Sequence, residues 1–149
     1  MEIETIKSII QSQWEETEEE LRSKKLIPRE GLPHVQPFLA HPNILAILGV
    51  RRCGKSVFSL LLSRTLGGKV GYINFYDERL LSCTAEDLEK IMQAFYELYS
   101  TVDIVILDEI QLISGWELFV SRLRKTKKVI ITGSNSKLPS GELATYLTG

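Results

Sequence analysis

An apolar run, Ile44–Leu48, leads without interruption into Gly49-Val50-Arg51-Arg52-Cys53-Gly54-Lys55-Ser56. That segment opens a stretch, Ser56–Leu66, in which Val57, Leu60 and Leu61 fall on one helical face and Gly67-Gly68 follows as a stop signal. Five consecutive apolar residues read as a strand buried on both faces, and such a strand needs helices above and below it. The order strand, glycine-bounded loop, helix is therefore the opening unit of a parallel α/β sheet.

The same beat continues to the end of the chain. Val70–Phe75 reads as a second strand. Thr84-Ala85-Glu86-Asp87 has the form of a capping box before a helix whose apolar face is Leu88, Ile91, Met92, Phe95 and Tyr99. Ile104–Leu107 is a third apolar strand. Ser114-Gly115-Trp116-Glu117 has the form of another capping box, before Leu118, Phe119 and Leu123. Val129–Thr132 is a fourth strand, and Ser140-Gly141-Glu142-Leu143 reads as the start of a last helix. Residues 44–149 thus form one α/β core. Residues 1–43 precede it as a helix over about residues 2–25, followed by a lead-in rich in proline: Pro28, Pro33, Pro37 and Pro42. Ile3, Ile6, Ile10 and Trp14 give that helix one apolar stripe, and Glu18–Arg22 and Glu20–Lys24 are favourable pairs one turn apart.

Composition excludes several classes. With 149 residues, 44% apolar and 25% charged, the chain is neither a disordered tail nor a disulfide scaffold. A net charge of −1 provides no overall basic footprint for nucleic acid. Cys53 and Cys83, with no CxxC spacing, and His34 and His41, in a proline-rich stretch, suggest no metal site. The acidic start Met1-Glu2-Ile3-Glu4 and the absence of any run near ~18 apolar residues point away from a secretion signal or a membrane span, and toward a cytoplasmic protein.

Three segments carry chemistry. Gly49–Ser56 fits G-x-x-x-x-G-K-[ST] between a strand and a helix, the context this motif requires. Its glycines let successive backbone N–H groups of Gly49, Val50, Arg51, Arg52, Cys53, Gly54, Lys55, Ser56 and Val57 converge on phosphate, assisted by the positive end of the helix. Lys55 reaches the β- and γ-phosphates, and the Ser56 hydroxyl is a Mg²⁺ ligand. Next, Asp103-Ile104-Val105-Ile106-Leu107-Asp108-Glu109 delivers two carboxylates to the carboxyl end of a buried strand, where open α/β sheets bind ligands. Asp108 is placed to hold Mg²⁺ and Glu109 to polarise an attacking water. The pair points to water as acceptor, hence to hydrolysis. Third, Thr132-Gly133-Ser134-Asn135-Ser136 ends the fourth strand; Ser134 first, or Asn135, could contact the water or the γ-phosphate, while an ordinary turn explains the same residues.

The segments GVRRCGKS, YINFYDERL, IVILDEIQLISGWELFVSRLR and VIITGSNSKLPSGELATYLTG together resemble the prokaryotic AAA-type ATPases, over about residues 44–149. Many members carry a C-terminal winged-helix and restriction-endonuclease-like region. The resemblance implies an ATPase with a P-loop and an open parallel sheet of strand order 5-1-4-3-2, using ATP and Mg²⁺. It assigns Asp108 and Glu109 to Mg²⁺ and water, and Ser134 as the sensor. In that family Leu-Thr-Gly is followed by an arginine and then the fifth strand, so a chain ending at Gly149 is expected to lack both. It reads as the front part of a larger ATPase, with the edge of its first strand covered by self-association or by a missing C-terminal region.

Other residues have bland and sharp readings. Asp77-Glu78-Arg79 is a solvated turn with a local ion pair, or a contributor near the γ-phosphate. Trp116 is a packing residue or a base-stacking one. Arg51 and Arg52 could contact phosphate or brace the loop against Glu109. Arg122, Arg124, Lys125, Lys127 and Lys128 form a solvated helix end or a nucleic-acid contact, which this segment alone does not support. The alternatives to an ATPase are a nucleotide-binding interaction module without turnover and a DNA-associated motor subunit.

Overall fold

In the computed structural model, residues 1–23, 44–48, 55–133 and 144–148 are described. Nine elements organise them: α1 (Ile3–Ser23), β1 (Ile44–Leu48), α2 (Lys55–Leu66), β2 (Val70–Asn74), α3 (Leu88–Tyr99), β3 (Ile104–Asp108), α4 (Trp116–Leu123), β4 (Lys128–Gly133) and β5 (Ala144–Thr148). The five strands form one sheet in the order β2-β3-β4-β1-β5, and every pair is parallel.

That is the order 5-1-4-3-2, and it corrects one expectation. The fifth strand is present: Ala144–Thr148 pairs with β1, from Leu45 opposite Ala144 to Leu48 opposite Thr148. β1 is therefore flanked on both sides and is not a sheet edge. The residues explain the strand, since Thr145, Tyr146 and Thr148 are β-branched or aromatic and suit a pleated surface. The expected start of a last helix at 140–143 lies outside the described residues.

Apolar residues alternate between the two faces, as a strand's period of two requires. Ile44, Ala46, Ile73, Val105, Leu107, Val129 and Ile131 pack with Ile6, Ile9 and Ile10 of α1 and with Met92 and Phe95 of α3. Leu45, Ile47, Tyr72, Ile104, Ile106 and Ile130 face the other way, toward Leu60 of α2 and Leu21 of α1. Phe95 is wholly buried against Gly71, where a Cβ would stand 2.8 Å from its ring. A side chain at position 71 would push α3 off the sheet.

Several local expectations change. The Thr84 box forms, with the Thr84 N–H donating to Asp87 Oδ2 at 2.9 Å, but it caps a single 3₁₀ turn before α3. The Ser114 box does not form. Gly115, at φ 85°, precedes α4 without a side-chain cap, a conformation that favours glycine. Arg22 pairs with Glu19 at 3.3 Å in place of Glu18, while Lys24 lies outside the described residues. Trp116 is 3% exposed within the core, so it is a packing residue.

The edge strand β2 is protected by a side chain. The Gln13 amide donates to the Asn74 carbonyl and accepts from the Asn74 N–H, both at 2.8 Å. In a parallel ladder both backbone groups of one residue point the same way, so Asn74 turns its pair outward while the Phe75 N–H reaches Asp108 of β3. Gln13 thus substitutes for one residue of a further strand, and α1 blocks the edge against other chains.

Candidate functional site

The site lies at the carboxyl end of the sheet. β3 ends in Asp108, 1% exposed, and the next residue, Glu109, is 4% exposed. Glu109 has φ 58° and ψ 44°, in the left-handed region that a side chain seldom adopts. Such backbone persists only where neighbouring contacts hold it. One such contact is its N–H, which donates to Thr132 Oγ1 at 2.9 Å.

Both oxygens of Asp108 accept hydroxyl hydrogen bonds from flanking strands. The Tyr72 phenol of β2 donates to Oδ2 at 2.7 Å. The Thr132 hydroxyl of β4 donates to Oδ1. Thr132 is a joint, accepting from the Glu109 backbone and donating to the Asp108 side chain. Gln111 completes the set, its Nε2 donating to Glu109 Oε2 at 2.6 Å. Gln111 Oε1 is buried with no hydrogen-bond partner among the described residues. The arrangement holds one carboxylate from two sides and steers a second from a 3₁₀ turn.

Tyr72 and Thr132 went unrecognised as site residues. Thr132 opens the Thr132–Ser136 segment, and a hydroxyl at the end of β4's apolar run is the sequence signal it carries. Tyr72 gave none beyond its place in a strand.

Asp77-Glu78-Arg79 follows β2 at the same end of the sheet. Arg79 pairs with Asp77 at 2.7 Å, and Gln13 Nε2 also donates to Asp77 Oδ2 at 2.9 Å. The Arg79 guanidinium, with help from Gln13 and the Arg79 backbone, holds the Asp77 carboxyl well below the usual carboxylate range against the opposing effect of burial. The ion-pair reading holds, and the pair is tied to α1.

Lys55, Ser56 and Val57 are described through their backbone, as the first residues of α2. Gly49, Val50, Arg51, Arg52, Cys53 and Gly54 lie outside the described residues, as do Ser134 and Asn135. What the sheet brings to one edge is the end of β1, the start of α2, and Asp108 and Glu109. β4 lies between β1 and β3.

A family model of the AAA domain matches residues 41–149. The chain belongs to that family. An uncharacterized protein of Methanocaldococcus jannaschii is 39% identical over 111 residues, covering 72% of this chain and 25% of its own length. An uncharacterized protein of Haemophilus influenzae is 35% identical over 137 residues, covering 85% of this chain and 34% of its own length. The AAA chain described here thus spans about a quarter to a third of these relatives. Family membership brings a nucleotide-binding, ATPase-like character. Among the described residues no helix is long and apolar enough to cross a membrane.

Proposed function

We propose that the chain binds Mg²⁺·ATP and hydrolyses its β–γ phosphoanhydride as part of a longer ATPase, in the cytoplasm. What supports this reading is that the end of β1 and the start of α2, which bracket the G-x-x-x-x-G-K-S segment in the sequence, lie at the same sheet edge as Asp108 and Glu109. The loop amides of Gly49–Ser56 and the Lys55 ammonium bind the phosphates. Ser56 and Asp108 would hold the Mg²⁺, which would supply positive charge to offset that of the phosphates. The donor set suits such a hard cation. It consists of oxygens, the Ser56 hydroxyl and the Asp108 carboxylate. Mg²⁺ needs only one or two carboxylates alongside phosphate and water.

Glu109 takes a proton from water as the water oxygen attacks the γ-phosphorus, and the bond to the bridging oxygen breaks to release ADP and phosphate. The buried Gln111 Oε1 leaves an acceptor beside Glu109 for a donor such as that water. Ser134 is the residue proposed to sense the γ-phosphate.

Calorimetry with ATP and Mg²⁺ tests the reading. Lys55→Ala should weaken binding at least about tenfold, and Glu109→Gln should keep binding while slowing phosphate release by about 10² or more. Unchanged binding in the first variant overturns the phosphate site. Unchanged turnover in the second removes Glu109 as the base. Binding without any phosphate release from the parent chain would favour the interaction module.

A further inference from the structure

The opposite end of the sheet carries a second chemistry. β2, β3 and β4 begin in register, with Val70 beside Ile104 and Ile104 beside Lys128. Their lead-in residues are stitched together: the Asp103 N–H donates to the Lys69 carbonyl at 2.8 Å and the Lys128 N–H to the Asp103 carbonyl at 3.2 Å. Lys69 and Lys128 therefore emerge at the amino edge on either side of Asp103. α2, α3 and α4 all end there, because each leads into one of these strands. Arg64 arrives with α2, and Lys125 and Lys127 follow α4.

These cations come from separate stretches of a chain whose net charge is −1, so the basic edge is a product of folding. Arg64, Lys69, Lys125, Lys127 and Lys128 form no ion pair among the described residues, whereas Arg122 is engaged by Glu89 at 2.7 Å. The acid among them, Asp103, accepts the Lys69 backbone N–H at 2.8 Å. Glu18 of α1 also lies close enough to influence Tyr99.

Two of the lysines rest on aromatic faces. Lys69 Nζ stands 4.4 Å from the centre of the Tyr99 ring, and Lys127 Nζ 5.2 Å from that of Tyr96, one turn earlier on α3. Beside Lys69 a cavity of about 320 Å³ opens, with Trp14, Leu60, Val70 and Tyr99 supplying apolar walls and Arg64 and Lys69 supplying charge. The negative ends of three helices account for lysines near this edge. They do not account for an aromatic cavity between two of the cations.

We propose that this amino edge binds single-stranded nucleic acid. One base enters the cavity between Trp14 and Tyr99, and the backbone runs over Arg64, Lys69, Lys127 and Lys128. Aromatic faces combined with a cationic track are how single strands are held without sequence preference. A duplex keeps its bases stacked away from such a cavity, and the acidic side chains of polyglutamate or polyaspartate carry no ring to fill it. The cations of the proposal, Arg64, Lys69, Lys127 and Lys128, lie at the opposite end of the strands from Asp108, so the lysine variant tests it apart from the ATPase reading. Trp14 lies nearer, its ring 6.4 Å from that of Tyr72.

Fluorescence anisotropy of a labelled oligothymidylate of about 20 nucleotides tests it, at salt from about 50 to 200 mM. Binding should weaken steeply with salt. The double variant Lys69→Ala/Lys127→Ala should lose about tenfold in affinity or more, and its salt slope should fall by about 1 to 2, as expected for two lost phosphate contacts. Trp14→Leu should weaken binding at an unchanged slope, because it removes stacking and no charge. Circular dichroism and thermal melting establish that each variant is folded, and calorimetry with ATP on the lysine variant separates this site from the phosphate site. Absence of salt-dependent binding at low salt overturns the proposal. So does equal affinity in the folded lysine variant, or equally tight binding of duplex DNA or polyglutamate.

Discussion

The Tyr72 phenol donates a 2.7 Å hydrogen bond to Oδ2 of Asp108, 36 positions further along the chain and on the neighbouring strand. Thr132 donates to the other oxygen from the opposite side. A carboxylate so clamped has little rotational freedom, which suits a group that must present an oxygen to a cation at fixed geometry. Tyr72→Phe removes one donor and little volume. Leaving a buried acceptor without that donor costs about 1–3 kcal/mol, so the variant should fold with a lowered melting temperature. If Asp108 holds Mg²⁺, the Mg²⁺ concentration for half-maximal phosphate release should rise about tenfold, with nucleotide affinity in the absence of Mg²⁺ unchanged. An unaltered Mg²⁺ dependence would show that the phenol does not position Asp108.

Gln13 offers a test of the first helix. Gln13→Ala exposes both the N–H and the carbonyl of Asn74 at the edge of β2. The expected loss is about 1–3 kcal/mol in urea unfolding, more than for the exposed neighbour Gln11→Ala. Gln13→Glu keeps an acceptor, loses the donor, and sets a second carboxylate against Asp77, whose Oδ2 lies 2.9 Å from Gln13 Nε2. At neutral pH it should be less stable than the alanine variant. Equal stability of all three would mean that α1 is held by Ile6, Ile9 and Ile10 alone.

These relationships show where sequence reading stops. The strand before the glycine loop, the Asp108-Glu109 pair and the Thr84–Asp87 box are local patterns, each written within a few residues. The Trp116 packing position was legible for the same reason, from its place at a helix start. The clamp on Asp108 is different, because Tyr72, Asp108 and Thr132 meet only once β2, β3 and β4 lie side by side. Strand order is a property of the whole sheet. The order 5-1-4-3-2 that the resemblance implies makes β2 an edge strand, but nothing in the sequence sets Gln13, one polar residue on an acidic helix, against Asn74. The fifth strand was not legible because the resemblance places it after an arginine beyond Leu-Thr-Gly, whereas Ala144–Thr148, before that point, pairs with β1.

Asp77 gives a pH prediction. Its folded-state carboxyl lies below the ordinary value of 3.8, chiefly because Arg79 donates to it. A depressed acid contributes stability that is fully present above its unfolded value and is lost as pH falls toward the folded one. The contribution is therefore intact at pH 7 and fades from about pH 4 downward. Asp77→Asn should be less stable than the parent chain at pH 7, and the gap should shrink between about pH 4 and pH 2. Thermal melts across that range provide the measurement. A gap of constant size would show that the Arg79 pair adds nothing dependent on charge.

The two cysteines should differ sharply in reactivity. Cys83 is 8% exposed, and burial pushes its thiol up to about 11. At pH 8 only ~0.1% of such a thiol is the reactive thiolate. Cys53 belongs to the proposed phosphate loop, where backbone N–H groups and Lys55 favour an anion. Native chain treated with iodoacetamide at pH 8 should therefore gain one adduct, located by peptide mass spectrometry at Cys53, and a second only after denaturation. ATP with Mg²⁺ should slow the first modification, and the modified chain should bind nucleotide at least about tenfold more weakly, since the adduct occupies the space where phosphate lies against the loop. Labelling of Cys83 at a matching rate would contradict its burial. Full nucleotide affinity after alkylation of Cys53 would remove that residue from the phosphate loop and leave Lys55 and Ser56 to be tested without it.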